Sequence, residues 1–189
     1  MVSDIFYDGK LINGKSKALD AYKESPEEFK NTVTWIDTSP LGEKSYHLQD
    51  KKTKSLSNTS EASIIINLLK RISENAKFLT DLKSLYQPNE PIIGVICMYS
   101  SQKKMIEKRF NQTNLNSDFK SLVKIGTVDS YQGKENPIII VSMTRCEKNK
   151  TPGFLKESNR INVALSRAMD RLVIIGSSEM WTETTGSMG

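Results

Sequence analysis

Apolar runs at five places along the chain have the length and composition of β-strands. The second run, Ile92–Met98, is nearly all apolar, which is typical of a strand covered on both faces in a parallel sheet. Polar, turn-forming residues separate the runs from one another. The predicted strands are Val33–Ile36, Ile92–Met98, Leu122–Val128, Pro137–Met143 and Leu172–Gly176.

Segments with helical spacing lie between these strands. Asn58 is placed to cap a helix, and Glu61 is placed to return a capping-box hydrogen bond to the Asn58 N–H. Gln102–Phe110 and Asn159–Asp170 are predicted as two further helices. Because parallel strands need crossover connections, the β-α-β-β-α-β order from Ile92 onward predicts an α/β sandwich with a mainly parallel sheet.

A chain of 189 residues allows one compact domain and little more. We expect that domain to occupy residues 1–181, with a polar, lysine-rich loop excursion at about 38–57. Residues 182–189 carry too few apolar side chains to pack, so we expect them to form a disordered tail.

Composition narrows the class of protein. The hydrophobic fraction of 37% excludes global disorder, and the net charge of +5 suits a polyanion partner without identifying one. No apolar run reaches the roughly 18 residues of a membrane span, and the first residues lack a signal-peptide pattern, so we expect a cytoplasmic protein with no membrane partner. Cys97, Cys146 and His47 do not form a metal-ligand pattern, so no metal site is predicted.

The loop between the third and fourth predicted strands carries groups that suit a phosphate ligand. Gly133 lets the backbone approach a ligand closely, while Lys134 and the hydroxyls of Thr127 and Ser130 can donate to phosphate oxygens. Glu135 can accept a hydrogen bond from a ribose hydroxyl. A simple polar turn explains the loop equally well when it is taken alone.

The predicted helix Asn159–Asp170 carries a file of arginines. Its apolar stripe is followed on the adjoining face by Arg160, Arg167 and Arg171. A guanidinium group is always charged and binds phosphate through a rigid fork, which suits a transferring phosphoryl group. A solvated basic surface is the alternative interpretation of the same pattern.

Four segments resemble helicase motifs. Thr127–Glu135 is similar to motif V, V-D-x-F/Y-Q-G-x-E, and Arg160–Ala168 is similar to motif VI, R-x-N-V-A-x-S/T-R-A. Ile93–Gln102 resembles the I-G-V/I-I-T/S-P-Y-x-x-Q element, with Cys97–Met98 in place of Thr-Pro, and Phe6–Leu11 resembles F-Y-x-G-x-L. The chain therefore resembles the second, C-terminal RecA-like domain of superfamily 1 helicases, nearest to the 5′-to-3′ branch that includes the nonsense-mediated-decay helicase.

This resemblance implies a three-layer α/β/α RecA-like fold and a role for each matching residue. Arg167 would be the arginine finger, and Gln132 would couple the nucleotide to the nucleic acid. Arg160 would face the nucleotide or anchor the motif V loop, and Arg145 matches a common family arginine that could equally form a surface ion pair. The nucleotide-facing residues would be Gly133, Lys134, Glu135, Arg160 and Arg167. The residues facing single-stranded DNA or RNA would be Tyr99, Gln102, Thr127 and Ser130.

Gly9–Ser16 also matches the phosphate-loop pattern G-x-x-x-x-G-K-S/T. Its flanks lack the buried strand and the long helix that such a loop needs, since Pro26 follows after about two turns. In the family, the phosphate loop and the acidic pair for Mg²⁺ belong to an upstream RecA-like domain, which would hold ATP and Mg²⁺ and leave the isolated chain inactive. The alternatives are a self-contained P-loop NTPase or kinase using Gly9–Ser16, and a non-catalytic nucleic-acid-binding module.

Overall fold

A parallel sheet forms the centre of the computed structural model, which describes residues 20–86, 90–151, 153 and 158–182. Within these residues the sheet has five strands: β1 (Val33–Asp37), β4 (Ile93–Cys97), β5 (Val123–Thr127), β6 (Asn136–Ser142) and β7 (Ala168–Gly176). They lie in the order β1-β7-β6-β4-β5, and every neighbouring pair is parallel. The predicted α/β class with a mainly parallel sheet is confirmed.

A short antiparallel hairpin and a 3-10 helix occupy the segment that was predicted as a loop excursion. The 3-10 helix covers Ser39–Ser45, and the hairpin pairs β2 (Leu48–Gln49) with β3 (Leu56–Ser57). Two further 3-10 helices, Asp20–Glu24 and Glu27–Phe29, precede β1. The polar composition concealed these elements because each is too short to show a hydrophobic period.

Helices cover both faces of the sheet, but unequally. The helices are α1 (Thr59–Glu74), α2 (Ala76–Leu85), α3 (Ser100–Gln112), α4 (Ser117–Ser121), α5 (Ser158–Leu165) and α6 (Ser178–Trp181). Helices α1 to α4 cover the face that carries Ile93, Val95 and Cys97, which we call the helical face. The opposite face, which carries Ile96, packs against α5 and the segment between β5 and β6.

Helix α1 begins as its sequence predicts, because the Asn58 side chain accepts a hydrogen bond of 3.1 Å from the Glu61 N–H. The predicted return bond is wrong: the Asn58 N–H donates instead to Gln102 Oε1, and the Glu61 carboxylate turns into the protein. Among the described residues, no helix is long and apolar enough to cross a membrane. Gly9–Ser16, Phe6–Leu11 and residues 183–189 lie outside the described residues.

Candidate functional site

Residues 128–135, which we call the crossover segment, join two strands that lie on opposite sides of β4. Because β5 and β6 are parallel, this segment must run from the carboxyl end of β5 back to the amino end of β6. Such a connection usually takes a dozen or more residues and a helix. Here it contains only the 3-10 turn Asp129–Tyr131, so it lies directly on the face of the sheet opposite the helical face.

Tyr131 anchors the crossover segment to the sheet. Its side chain is fully buried, and its hydroxyl donates a hydrogen bond of 3.0 Å to the Lys124 carbonyl oxygen. Two glycines make room for it: a Cβ atom on residue 126 would lie 2.8 Å from the ring carbon Cε2, and one on residue 94 would lie 2.7 Å from the hydroxyl oxygen. The ring therefore takes the place that a crossover helix would otherwise fill.

The predicted coupling residue and the predicted nucleotide-facing residues of the crossover segment are all at the surface. Gln132, Gly133, Lys134 and Glu135 are exposed, and they lead directly into the amino end of β6. Gly133 has φ +73°, a conformation that glycine adopts without cost, and a Cβ atom there would meet nothing within 4 Å. Glycine is therefore favoured at position 133 by the backbone conformation and not by crowding from neighbouring atoms.

Arg167 lies beside this group. The Asn136 N–H donates a hydrogen bond of 3.1 Å to the Arg167 carbonyl oxygen, which joins the first residue of β6 to a residue two positions beyond the end of α5. The guanidinium is half-buried and bonded to the end of α5 and the residue after it, with Nε donating to Val163 O at 3.0 Å and Nη2 donating to Ser166 Oγ at 2.8 Å. The structure thus brings Arg167 to the same end of the sheet as Gln132–Glu135.

Arg160 contacts the other end of the crossover segment. Its Nη2 lies 3.7 Å from Asp129 Oδ1, and Asp129 follows the carboxyl end of β5. This ion pair fits the interpretation of Arg160 as an anchor for the motif V loop. Helix α5 therefore runs along the crossover segment, with Arg160 near one end of that segment and Arg167 near the other.

The residues predicted to face nucleic acid lie at the carboxyl ends of β4 and β5. Thr127 is the last residue of β5, and Ser130 donates a hydrogen bond of 2.7 Å to its carbonyl oxygen. Tyr99 comes just before α3 and is only 7% exposed. Burial raises the pKa of Tyr99, and the positive charge of the nearby Arg145 opposes that rise.

Comparisons with known proteins agree with these motifs. A family model described as an AAA domain matches residues 1–179. The chain belongs to this AAA domain family. It is 32% identical to the DNA polymerase alpha-associated DNA helicase A of Saccharomyces cerevisiae, over 94% of this chain and 25% of that protein.

Two other relatives give the same result. The chain is 30% identical to regulator of nonsense transcripts 1 of Caenorhabditis elegans, over 94% of this chain and 16% of that protein. It is 34% identical to the DNA replication ATP-dependent helicase/nuclease DNA2 of Xenopus laevis, over 77% of this chain and 12% of that protein. The predicted helicase family is confirmed, and this AAA domain spans a quarter or less of the length of these three relatives.

The AAA domain places Gln102 inside the protein and not on the predicted nucleic-acid side. Gln102 is fully buried; its Oε1 accepts from the Asn58 N–H at 2.7 Å, and its Nε2 donates to Ser142 Oγ at 3.0 Å. Its amide group therefore fixes the first turn of α3 to the start of α1 and the end of β6. A direct contact with a nucleic-acid strand would require these bonds to break.

Sequence reasoning missed the role of Glu61 in the same network. Oε2 of Glu61 accepts hydrogen bonds from Ser142 Oγ at 2.6 Å and from the Thr144 N–H at 2.8 Å. Burial raises its pKa to about 7, although both of these bonds lower it. Thr144 has φ 66°, an uncommon conformation for a β-branched residue, and the Glu61 bond holds it next to Arg145. Only the Asn58–Glu61 spacing pointed to this region.

The predicted arginine file is wrong at Arg171. Helix α5 ends at Leu165, and Arg171 belongs to β7, where it is 4% exposed. Its Nε donates a hydrogen bond of 2.7 Å to the Phe29 carbonyl oxygen, and its guanidinium carbon lies 3.9 Å from the centre of the Tyr22 ring. The chain leaves the helix early because Ala168 pairs with Asn136 and starts the strand there.

The cationic groups of this site suit phosphate, whereas its carboxylates do not suit a metal ion. Lys134, Arg160 and Arg167 all lie along the crossover segment. In the residues that the structure describes, no group of three or more His, Cys, Asp or Glu side chains is arranged to hold a metal. The site can therefore add positive charge to a bound nucleotide.

Proposed function

We propose that this AAA domain is the second motor domain of an ATP-dependent superfamily 1 helicase, and that it supplies the arginine finger and part of the ATP and single-strand surfaces. One observation carries the proposal. The bond between the Asn136 N–H and the Arg167 carbonyl oxygen, 3.1 Å long, holds the end of motif V beside the arginine of motif VI. Neither segment alone distinguishes a nucleotide site from a polar turn or a basic helix.

The nucleotide side of the proposal rests on groups with matching chemistry. Arg167 can exchange its neutral acceptors, Val163 O and Ser166 Oγ, for a γ-phosphate, which is a stronger, charged acceptor. Lys134 adds positive charge, and Glu135 is exposed to accept from a ribose hydroxyl. ATP and Mg²⁺ would be held mainly by an upstream RecA-like domain, whose closure brings the γ-phosphate within reach of Arg167.

The nucleic-acid side lies at the opposite end of the crossover segment. Thr127 and Ser130 stand at the carboxyl end of β5, where they would contact the backbone of single-stranded DNA or RNA together with Tyr99. Gln132 lies between these residues and the nucleotide side. Because the segment is short and Tyr131 holds it against the sheet, a shift of the segment would move both of its ends together, which is the coupling that a translocating motor requires.

Substitution of Arg167 tests this proposal in the chain joined to its upstream RecA-like domain. Arg167→Ala should lower ATP turnover by about 10³-fold or more, with a much smaller change in nucleotide affinity, because an arginine finger acts mainly on the transition state. Arg167→Lys should restore only part of the activity, since an ammonium lacks the planar fork. The measurements are steady-state turnover and nucleotide affinity.

Arg71→Ala is the matched control, because Arg71 is an exposed arginine that pairs with Glu28 on the helical side of the fold. It should keep most of the activity. Equal effects of the two substitutions would refute the assignment of the finger to Arg167. Turnover by the isolated chain above about 0.1 per second, abolished by Lys15→Ala, would instead support the self-contained P-loop enzyme.

A further inference from the structure

The turn of the β2–β3 hairpin presents three lysines to solvent. Lys51, Lys52 and Lys54 are all exposed. Asp50 builds the turn that holds them: its Oδ1 accepts from the Lys52 N–H at 3.0 Å and from the Thr53 N–H at 2.7 Å. The bond from Thr53 is the main reason that the pKa of Asp50 is lowered. The acidic residue of the hairpin is thus committed to shaping the turn.

The hairpin is fixed to the first turn of α3. Ser55 Oγ accepts a hydrogen bond of 3.0 Å from the Ser101 N–H and lies 3.1 Å from Ser100 Oγ. Tyr99, the residue that precedes this helix, makes no side-chain capping bond, so Ser55 satisfies a helix N–H group from outside. Leu56 is buried in the same apolar cluster as Tyr99. The lysines therefore stand on a fixed support beside Tyr99.

These two elements carry an excess of positive charge. The hairpin Leu48–Ser57 has three lysines and one aspartate, and α3 has three lysines and one arginine against one glutamate. Seven positive groups against two negative ones leave an excess of five, which equals the formal charge of +5 of the whole chain. All the other residues taken together therefore carry no net formal charge.

We propose that the β2–β3 hairpin binds the phosphate backbone of the same single strand that passes Tyr99, and extends the nucleic-acid surface beyond the motif residues. This inference rests on the proposed function, since it takes the strand to lie at the carboxyl end of β4 and β5. Lysine is a flexible point charge with three donors, so the contacts would neutralise phosphates without reading bases. The hairpin would thus add affinity and salt dependence but no sequence preference.

The test is a triple variant of this chain, Lys51→Gln, Lys52→Gln and Lys54→Gln, which removes the charges and keeps side chains of similar length. Binding of fluorescent single-stranded oligothymidine is measured by anisotropy over a range of salt concentrations. Loss of three phosphate contacts should make the slope of log K against log salt about 2 units less negative, at about 0.7 per contact. Affinity should then fall on the order of 100-fold at about 0.1 M salt, with the difference disappearing near 1 M.

A second triple variant, Lys70→Gln, Lys77→Gln and Lys83→Gln, is the matched control. It removes the same charge from exposed positions on α1 and α2, and it should leave the slope unchanged. Circular dichroism checks that both variants are folded. Equal effects of the two variants, or an unchanged slope in the hairpin variant, would overturn the inference while leaving the proposed function standing. No salt-dependent binding by the unmodified chain would overturn both.

Discussion

Replacement of Glu61 by Gln tests whether burial raises the pKa of the Glu61 carboxyl group and so makes the stability of the fold depend on pH. Glu61 is fully buried, and its carboxylate accepts hydrogen bonds from Ser142 Oγ at 2.6 Å, from the Thr144 N–H at 2.8 Å and from Asn58 Nδ2 at 3.3 Å. Gln has nearly the same shape but does not ionise. The substitution therefore removes the titration of this site and changes its packing very little.

The expected magnitude follows from the pKa of Glu61. Burial raises it from 4.5 to about 7. Because the folded state binds this proton more tightly than the unfolded state, the stabilisation is fully present below about pH 4.5 and is lost as pH rises to about 7. At about 1.4 kcal/mol per pH unit, the free energy of unfolding should fall by about 3 kcal/mol across this interval and should not change further above it.

Urea unfolding of both proteins, followed by tryptophan fluorescence between about pH 4 and 8, provides the measurement. Other groups titrate alike in both proteins, so their contributions cancel in the difference between the two unfolding free energies. As the pH rises, we expect the free energy of unfolding of Glu61→Gln to increase by about 3 kcal/mol relative to that of the unmodified chain. Because m-values are about 1–3 kcal/mol per molar urea, this corresponds to a relative midpoint shift of about 1–3 M.

Glu43→Gln serves as the control, since Glu43 is exposed on the 3-10 helix before the hairpin. Its difference from the unmodified chain should stay constant over the same pH range. A constant difference for Glu61→Gln as well would refute the reasoning. It would mean that the hydrogen-bond donors of Ser142, Thr144 and Asn58 stabilise the ionised carboxylate enough to cancel the effect of burial.

Two further predictions concern the sheet. Gly126→Ala should destabilise the fold by about 1–3 kcal/mol, because the added Cβ would lie 2.8 Å from the Tyr131 ring. Gly133→Ala should destabilise it by about 1 kcal/mol, because only the backbone conformation is disturbed there. Urea unfolding measures both, and Gly133→Asn should recover stability that Gly126→Asn does not, since Asn tolerates positive φ. Arg171→Ala should destabilise by about 3 kcal/mol or more in the same assay, because the Phe29 and Asp170 carbonyl oxygens lose the donors that Arg171 supplies and a cavity is left beside the Tyr22 ring. A change under about 0.5 kcal/mol, typical of surface sites, would contradict its structural role.

The strands were predictable because their apolar runs are continuous, as they must be when both faces of a sheet are covered. The crossover segment was predictable as a functional loop because its polar groups interrupt two such runs. Its path over the sheet was not, because a helix is the usual connection. The signal that could have revealed it is the pair Gly94 and Gly126, one in each neighbouring strand, which leaves space for the Tyr131 ring.

The remaining differences come from polar residues whose partners are distant in sequence. Arg171 bonds to a carbonyl oxygen 142 residues away, and Gln102 bonds to Asn58 and Ser142, at separations of 44 and 40 residues. A helical or strand period assigns such side chains to solvent because polar groups are usually exposed. Burial becomes acceptable only when the fold supplies the missing acceptors and donors, and no local pattern contains that information.

The resting contacts of Arg167 also bear on how the proposed finger would work. Its guanidinium is bonded to Val163 O and Ser166 Oγ, both neutral acceptors. A phosphate oxygen adds a negative charge to the same hydrogen bond, and the Coulomb attraction between the two charges is strong only where water is excluded. Exchange of acceptors would therefore gain little in an open site and much more in a closed one. On this argument the proposed finger would stay bonded to the end of α5 until the two motor domains close, and its contact with the γ-phosphate would depend on that closure.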